Sequence, residues 1–263
     1  MKLAIVIPAY NERALLPEAV ARLDATPPPK TPEGAACERI LVIVDDGSTD
    51  GTRELISELG ERDDIIAVMH QENAGKGAAI RTGFTAALDA GADILLIQDA
   101  DLEYDPRDHD RVLEPILDGR ADAVIGSRFI GQTHRVLYFW HYAANRFITL
   151  FSNILTNLNL SDIECCSKAM TAEVARRIEI NEKRFGLEPE IVAKLSQMRL
   201  PQDEDEVEGD GAGKGDGRSL RIYEVAVSYA GRTYAEGKKI TWRDGISALR
   251  CIIKYNFRRL LPF

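Results

Sequence analysis

The sequence has few cysteines and no pattern among them. They are Cys37, the adjacent Cys165 and Cys166, and Cys251. Neighbouring cysteines rarely bond each other, and no CxxC or Cys/His ligand spacing occurs. Reduced thiols in a cytoplasmic protein are therefore expected, rather than a disulfide framework or a zinc site. Long apolar runs are also missing. No uninterrupted segment reaches the roughly 18–20 residues of a membrane span, and the nearest, residues 136–160, is interrupted by His141, Asn145 and Arg146. The N-terminal apolar run is broken by Pro8 and is too short for a signal peptide. Positive charge is in deficit. A formal net charge of −9 argues against a nucleic-acid partner.

What is present is a regular alternation. Short β-branched runs at residues 3–10, 39–48, 65–72, 94–101 and 122–128 read as buried strands. Amphipathic stretches at 14–25, 52–62, 75–90 and 108–118 separate them. That order predicts an α/β fold with a mostly parallel central sheet flanked by helices. After residue 130 the alternation stops. A helical region runs to about residue 160, followed by a short helix near 171–178, an alternating segment at 220–234 and a helical pattern from 242 to 261. Residues 202–217 hold seven acids and one lysine among glycines, a composition that predicts a disordered loop without a catalytic role.

In such sheets ligands bind beyond the carboxyl ends of the strands. The polar residues sit there: "PAYNE" after the first strand, "DDGSTDGT" after the second, "ENAGKG" after the third and "DADLE" after the fourth. Solvated turns also favour Asp, Asn and Gly, so the signal is their coincidence on one rim. Asp99 and Asp101 lie two apart in extended chain and point the same way. Their mutual repulsion is relieved by a divalent cation, and Mg²⁺ or Mn²⁺ prefers carboxylate oxygens with phosphates completing the shell. Asp45 and Asp46 can accept hydrogen bonds from a base or a ribose. Lys76 in "NAGKG" can meet a phosphate, although the loop lacks P-loop spacing.

"VIPAYNE", "VDDGSTDGT", "NAGKGAAIRTG", "QDADLEYDP" and "GSR", in this order, resemble the family 2 glycosyltransferases of the Rossmann-like GT-A fold. Within them the chain resembles the polyprenyl-phosphate (dolichyl-phosphate) hexosyltransferases. The resemblance implies one GT-A domain over residues 1–263, with a nucleotide-sugar-binding half at 1–130 and an acceptor-binding half at 131–263. It implies a UDP- or GDP-linked donor held by Pro8, Tyr10, Glu12, Asp45 or Asp46, Lys76, Gln98 and Asp99. Asp99 and Asp101 would handle the metal, with Glu103 as a further ligand where the family often has Gln. Arg232 and Lys238 or Lys239, in "GRTYAEGKKI", resemble the basic residues that close over the phosphates, with altered spacing. The family segment D-P-x-S-G-F is here "DIECCS", which keeps Asp162 and loses the Pro and Gly.

The implied chemistry is inverting transfer of a hexose to a polyprenyl phosphate. Arg128, Arg146 and Arg232 are candidates for the acceptor phosphate. A hydroxyl acceptor would instead need a carboxylate base, with Asp162 or Glu190 the choices. The helical stretch at 136–160 and the basic amphipathic C-terminal helix suit contact with an anionic membrane surface, or equally packing on the domain itself. The expectation is a cytoplasmic protein, peripheral on the inner face of the membrane. The alternatives are a family 2 enzyme for a soluble or cell-envelope saccharide hydroxyl, and a non-enzymatic nucleotide-sugar-binding or phosphoacceptor module.

Overall fold

The computed structural model describes residues 1–131, 133–136, 138–184, 186–201, 217–233 and 242–260. The apolar runs become β1 (Lys2–Ala9), β2 (Glu38–Asp45), β3 (Ile65–Met69), β4 (Ile94–Ile97) and β5 (Ala123–Ser127). Between them lie α1 (Leu16–Ala25), α2 (Thr52–Leu59), α3 (Lys76–Asp89) and α4 (His109–Leu117). The second half adds α5 (Phe139–Thr156), β6 (Lys168–Thr171), α6 (Ala172–Arg177), α7 (Leu187–Gln197), β9 (Ile222–Ala226) and α8 (Trp242–Leu260). A short antiparallel pair, β7 (Arg199–Leu200) and β8 (Arg218–Ser219), stands apart.

The seven-stranded sheet has the order β3-β2-β1-β4-β6-β5-β9. Its strands are parallel except β6, which runs against both β4 and β5. Successive residues of a strand face opposite ways, so β1 feeds two cores. Leu3, Ile5 and Ile7 pack with α1, α2 and α4, while Ala4 and Val6 pack with α3 and the helices of the second half. The expected α/β sheet is therefore present, and mostly parallel.

Two departures shape the rim. The expected strand at 220–234 ends at Ala226, and beyond it Tyr229 makes isolated bridges to Tyr104 and His134 outside the sheet. β6 has no counterpart among the expected strands. It is four residues long and begins with a lysine, so local pattern does not mark it. Lys168 pairs with Ile97 of β4 and Ile125 of β5. Residues 161–167 therefore cross the carboxyl ends of both strands before entering the sheet. The buried Lys168 ammonium anchors that crossing by donating to the carbonyls of Ile163 and Cys165.

The glycines of "NAGKG" serve the chain itself. Gly75 has φ +96°, and a Cβ there would lie 2.2 Å from the Lys183 carbonyl oxygen. A Cβ on Gly77 would lie 1.9 Å from the Glu182 carbonyl oxygen, while the Gly77 N–H donates to Lys183 at 3.1 Å. Only a residue without a side chain lets the start of α3 dock on residues 182–183. Gly77→Ala should destabilise the fold by about 2 kcal/mol through overpacking. In a chain of this size that lowers the melting temperature by roughly 4–8 °C, measurable by thermal denaturation.

Candidate active site

The acids at the end of β4 are interleaved with cations from distant segments. Asp99 takes the Lys76 ammonium at 2.8 Å, from the first residue of α3. Asp101 takes the Arg232 guanidinium at 2.7 Å. Leu102, between Asp101 and Glu103, has φ +63°, a left-handed conformation costing a residue with a Cβ roughly 1–2 kcal/mol. It turns the chain so that the Glu103 N–H donates back to Asp101 at 3.1 Å. The Glu103 carboxylate then accepts from the Arg232 backbone N–H at 3.0 Å, from its Nε at 3.2 Å and from the Tyr229 hydroxyl at 2.9 Å. Both Glu103 oxygens are thus engaged. In this way Glu103 holds Arg232 beside Asp101.

The charges remain unequal. Burial favours the neutral form of Asp99, but Lys76 outweighs it and holds this carboxyl below the usual range. Asp101 goes the other way. Burial and the neighbouring Asp99 and Glu103 push it up to about 7, against the pull of Arg232. Asp99 therefore stays ionised against Lys76, while Asp101 is divided between its charged and neutral forms near neutrality, and a further cation beside it would favour the charged form. Among the described residues no three His, Cys, Asp or Glu side chains converge as a closed cage. An open site, with one or two carboxylates and the ligand's phosphate oxygens, matches how Mg²⁺ is commonly held. Asp101 and Asp99 fit that role.

The second-strand acids lie deeper than expected. Asp45 is fully buried, accepting from the Ser48 N–H at 3.1 Å and Arg53 Nε at 3.0 Å. Asp46 accepts from the N–H groups of Ala74 and Gly75 at 2.9 and 2.8 Å and lies 2.9 Å from His70 Nδ1. Asp46 thus holds the loop that carries Lys76, while Asp45 holds the turn that follows β2. Gln98 is buried, with Oε1 2.9 Å from His109 Nε2. His109 is kept neutral chiefly by burial, which drives its pKa down to about 3. Of the first motif, Pro8 is half-buried and Tyr10 is exposed, while Glu12 lies within electrostatic reach of Arg232. Lys238 and Lys239 lie outside the described residues, as does the acidic tract at 202–216.

At the end of β5, Arg128 forms a two-pronged pair with Asp162, at 2.6 and 2.8 Å. Asp162 is fully buried and also accepts from the Arg128 N–H and from Asn145. Arg128 stacks 5.1 Å above the Tyr229 ring, so Tyr229 touches both Arg128 and the Glu103–Arg232 group. Arg146 is exposed and donates to the Ser161 carbonyl at 3.3 Å. Glu190 points inward, accepting from the N–H groups of Asn181 and Glu182 and from Lys194. With every oxygen committed inside the protein, Asp162 and Glu190 are corrected from candidate bases to internal anchors.

Glu188 is the acid of "EPE" that meets the site. Residues two apart on a helix face different ways, and Glu188 lies 3.5 Å from Lys76 while Glu190 turns away. Cys166 was not singled out by the sequence, and its Sγ lies 3.1 Å from the Lys76 ammonium. Tyr229 was likewise missed. Its only sequence signal is its position in the segment that delivers Arg232.

Known proteins carry the same framework. Residues 4–179 match the family model for Glycosyl transferase family 2. The chain is 34% identical over 181 residues to the polyprenol monophosphomannose synthase of Mycolicibacterium smegmatis, covering 67% of this chain and 64% of that protein. It is 29% identical over 250 residues to the undecaprenyl-phosphate mannosyltransferase of Micrococcus luteus, covering 90% and 87%. With the dolichol-phosphate mannosyltransferase of Pyrococcus furiosus the figures are 28% over 197 residues, 74% and 53%. The chain thus spans slightly less than two thirds of the first relative and about half of the third. In structure it resembles the glucosyl-3-phosphoglycerate synthase of Mycobacterium tuberculosis, crystallised with Mn²⁺, uridine diphosphate and glucosyl-3-phosphoglycerate. That match covers 100% of this chain and 81% of the other, with a TM-score of 0.64 at 17% identity, and shows a shared GT-A fold. The chain belongs to glycosyl transferase family 2.

Proposed function

We propose that the protein transfers a hexose, with inversion, from a UDP- or GDP-linked donor to a polyprenyl or dolichyl phosphate, using Mg²⁺ or Mn²⁺. The observation that carries the reading is the rim at the end of β4, where Asp99, Asp101 and Glu103 alternate with Lys76 and Arg232. Asp101 and Asp99 would hold the cation, which when bound supplies positive charge against the departing diphosphate. In the ligand-free protein Arg232 covers Asp101. A diphosphate and its cation would release that guanidinium to the phosphate oxygens, while Lys76 bears on the same charge from α3.

The committed state of Asp162 and Glu190 supports an acceptor that arrives already ionised. A phosphomonoester has its second pKa near 6, so it needs cations more than a base. Arg128, held by Asp162 and lying over Tyr229, and the exposed Arg146 supply cations beside the crossing of residues 161–167. The names of the curated relatives, which act on polyprenol, undecaprenyl and dolichol phosphates, point to the same acceptor class.

A lipid acceptor requires contact with a membrane. No helix among the described residues is long and apolar enough to cross one. α5 is instead reversed relative to an ordinary surface helix. Its buried face carries Asn145, Thr149, Ser152 and Thr156 beside Ile148, while Trp140, Phe147, Leu150 and Ile154 are exposed. α8 packs against α5 and exposes Ile246, Ile253 and Phe257. Exposed apolar rows of this extent mark interaction surfaces, and here they support peripheral binding at a leaflet surface.

Release of UDP or GDP from donor sugars should require both a divalent cation and a polyprenyl phosphate. Transfer to a water-soluble hydroxyl acceptor at an equal rate would overturn the acceptor assignment. Asp101→Asn keeps the size and removes the ligand charge, so kcat/KM should fall by about 100-fold or more with the melting temperature unchanged. Leu150→Glu should leave the fold intact, since Leu150 is 59% exposed. It should weaken sedimentation with anionic vesicles by about tenfold, because a charge replaces a leucine that would otherwise be buried in the interface.

A further inference from the structure

In the segment after Asp162 this chain has Cys165 and Cys166 where the family pattern has Ser and Gly, and Glu164 stands at the position that the pattern leaves open. These lie on the segment that crosses the ends of β4 and β5. Asp162, two residues earlier, is clamped by Arg128 on the acceptor side. Cys166, two residues later, meets Lys76 at 3.1 Å and Glu188 at 3.6 Å on the donor side. Glu164 stands between the two groups, with Glu188, Lys168, Arg128 and Asp162 all within electrostatic reach of its carboxyl. The Lys168 ammonium is spent on the carbonyls of Ile163 and Cys165. Glu164 Oε1 is buried and has no hydrogen-bond partner among the described residues. Nearly all buried polar atoms in folded proteins have a partner, so an orphaned carboxyl oxygen at a rim calls for a ligand group.

We infer that Glu164 is a specificity-determining residue, hydrogen-bonding a hydroxyl of the donor's hexose as the sugar lies between Lys76–Asp99 and Arg128. This rests on the donor reading proposed above. Sugar hydroxyls both donate and accept, and a carboxyl that keeps its proton can do the same. Burial, and after it the nearby Glu188, raise this carboxyl to about 8, so near neutrality it is largely protonated. The protonated form also avoids placing another negative charge beside Glu188 and Asp162. A site built to hydrogen-bond a hydroxyl discriminates strongly against a sugar that places it elsewhere.

The test compares binding of GDP and UDP with binding of GDP-mannose and UDP-glucose, each with Mn²⁺, by titration calorimetry. Glu164→Ala and Glu164→Met should weaken the preferred sugar nucleotide about tenfold or more and leave the bare nucleoside diphosphate within about twofold. Glu164→Gln should retain most of the affinity, since an amide also donates and accepts. The preference between hexoses should narrow in Ala and Met but not in Gln. If Ala disturbs the fold, Met, which fills similar volume without a hydrogen-bonding oxygen, decides. Unchanged sugar-nucleotide affinity in Met would overturn the inference, as would a parallel loss of both ligand types in Met. If the wild-type protein binds neither nucleoside diphosphates nor their sugars, the donor reading itself fails, and this inference with it.

Discussion

The structure turns on an excess of negative charge gathered at the end of one buried strand. Asp99, Asp101 and Glu103 come from five residues of chain, and each would repel the others without help. Help comes from far away in sequence. Lys76 stands at the start of α3, and Arg232 comes from residues 227–233, laid on the rim by the Tyr104 and Tyr229 contacts. The cations answer Asp99 more fully than Asp101, which stays hard to ionise. The site is thus partly satisfied by its own side chains, an arrangement suited to exchanging internal cations for a ligand and its metal.

A second ring of buried acids holds the parts in place. Asp46 takes the N–H groups of residues 74 and 75, Glu190 those of 181 and 182, and Asp162 that of Arg128. Each carboxylate satisfies backbone donors that would otherwise be unpaired in a dry environment. The 182–183 backbone in turn presses against Gly75 and Gly77, so the loop bearing Lys76 is fixed from both sides. Fixed donors and dipoles stabilise developing charge best when they need no reorganisation. In this protein the buried acids provide that rigidity beneath the rim residues.

The outward face of α5 follows from the same arrangement. Asn145 must reach Asp162, and the Thr149 hydroxyl lies 3.3 Å from Asn145 Oδ1. Those polar residues therefore turn inward beside Ile148, and Trp140, Phe147, Leu150 and Ile154 are left at the surface. The helix that steadies the Arg128–Asp162 pair is thus also the one that exposes these apolar side chains.

The first half of the fold and the location of the rim were legible in the sequence. Buried parallel strands are near-continuous apolar runs, and ligand-binding residues collect at their carboxyl ends, both of which are local patterns. Asp99, Asp101, Lys76 and Arg232 could be picked out as residue types suited to diphosphate chemistry, and the structure brings them together. The sequence could not tell a rim acid from an anchoring one. Asp45, Asp46, Asp162 and Glu190 look like site residues until burial and backbone partners are known. β6 was invisible because four residues led by a lysine form a strand only when β4 and β5 flank them. Its antiparallel entry carries residues 161–167 over the rim, and that long-range pairing decided where Glu164 and Cys166 lie. Local periodicity determines which segments are buried, whereas which carboxylates meet which cations depends on contacts across the whole chain.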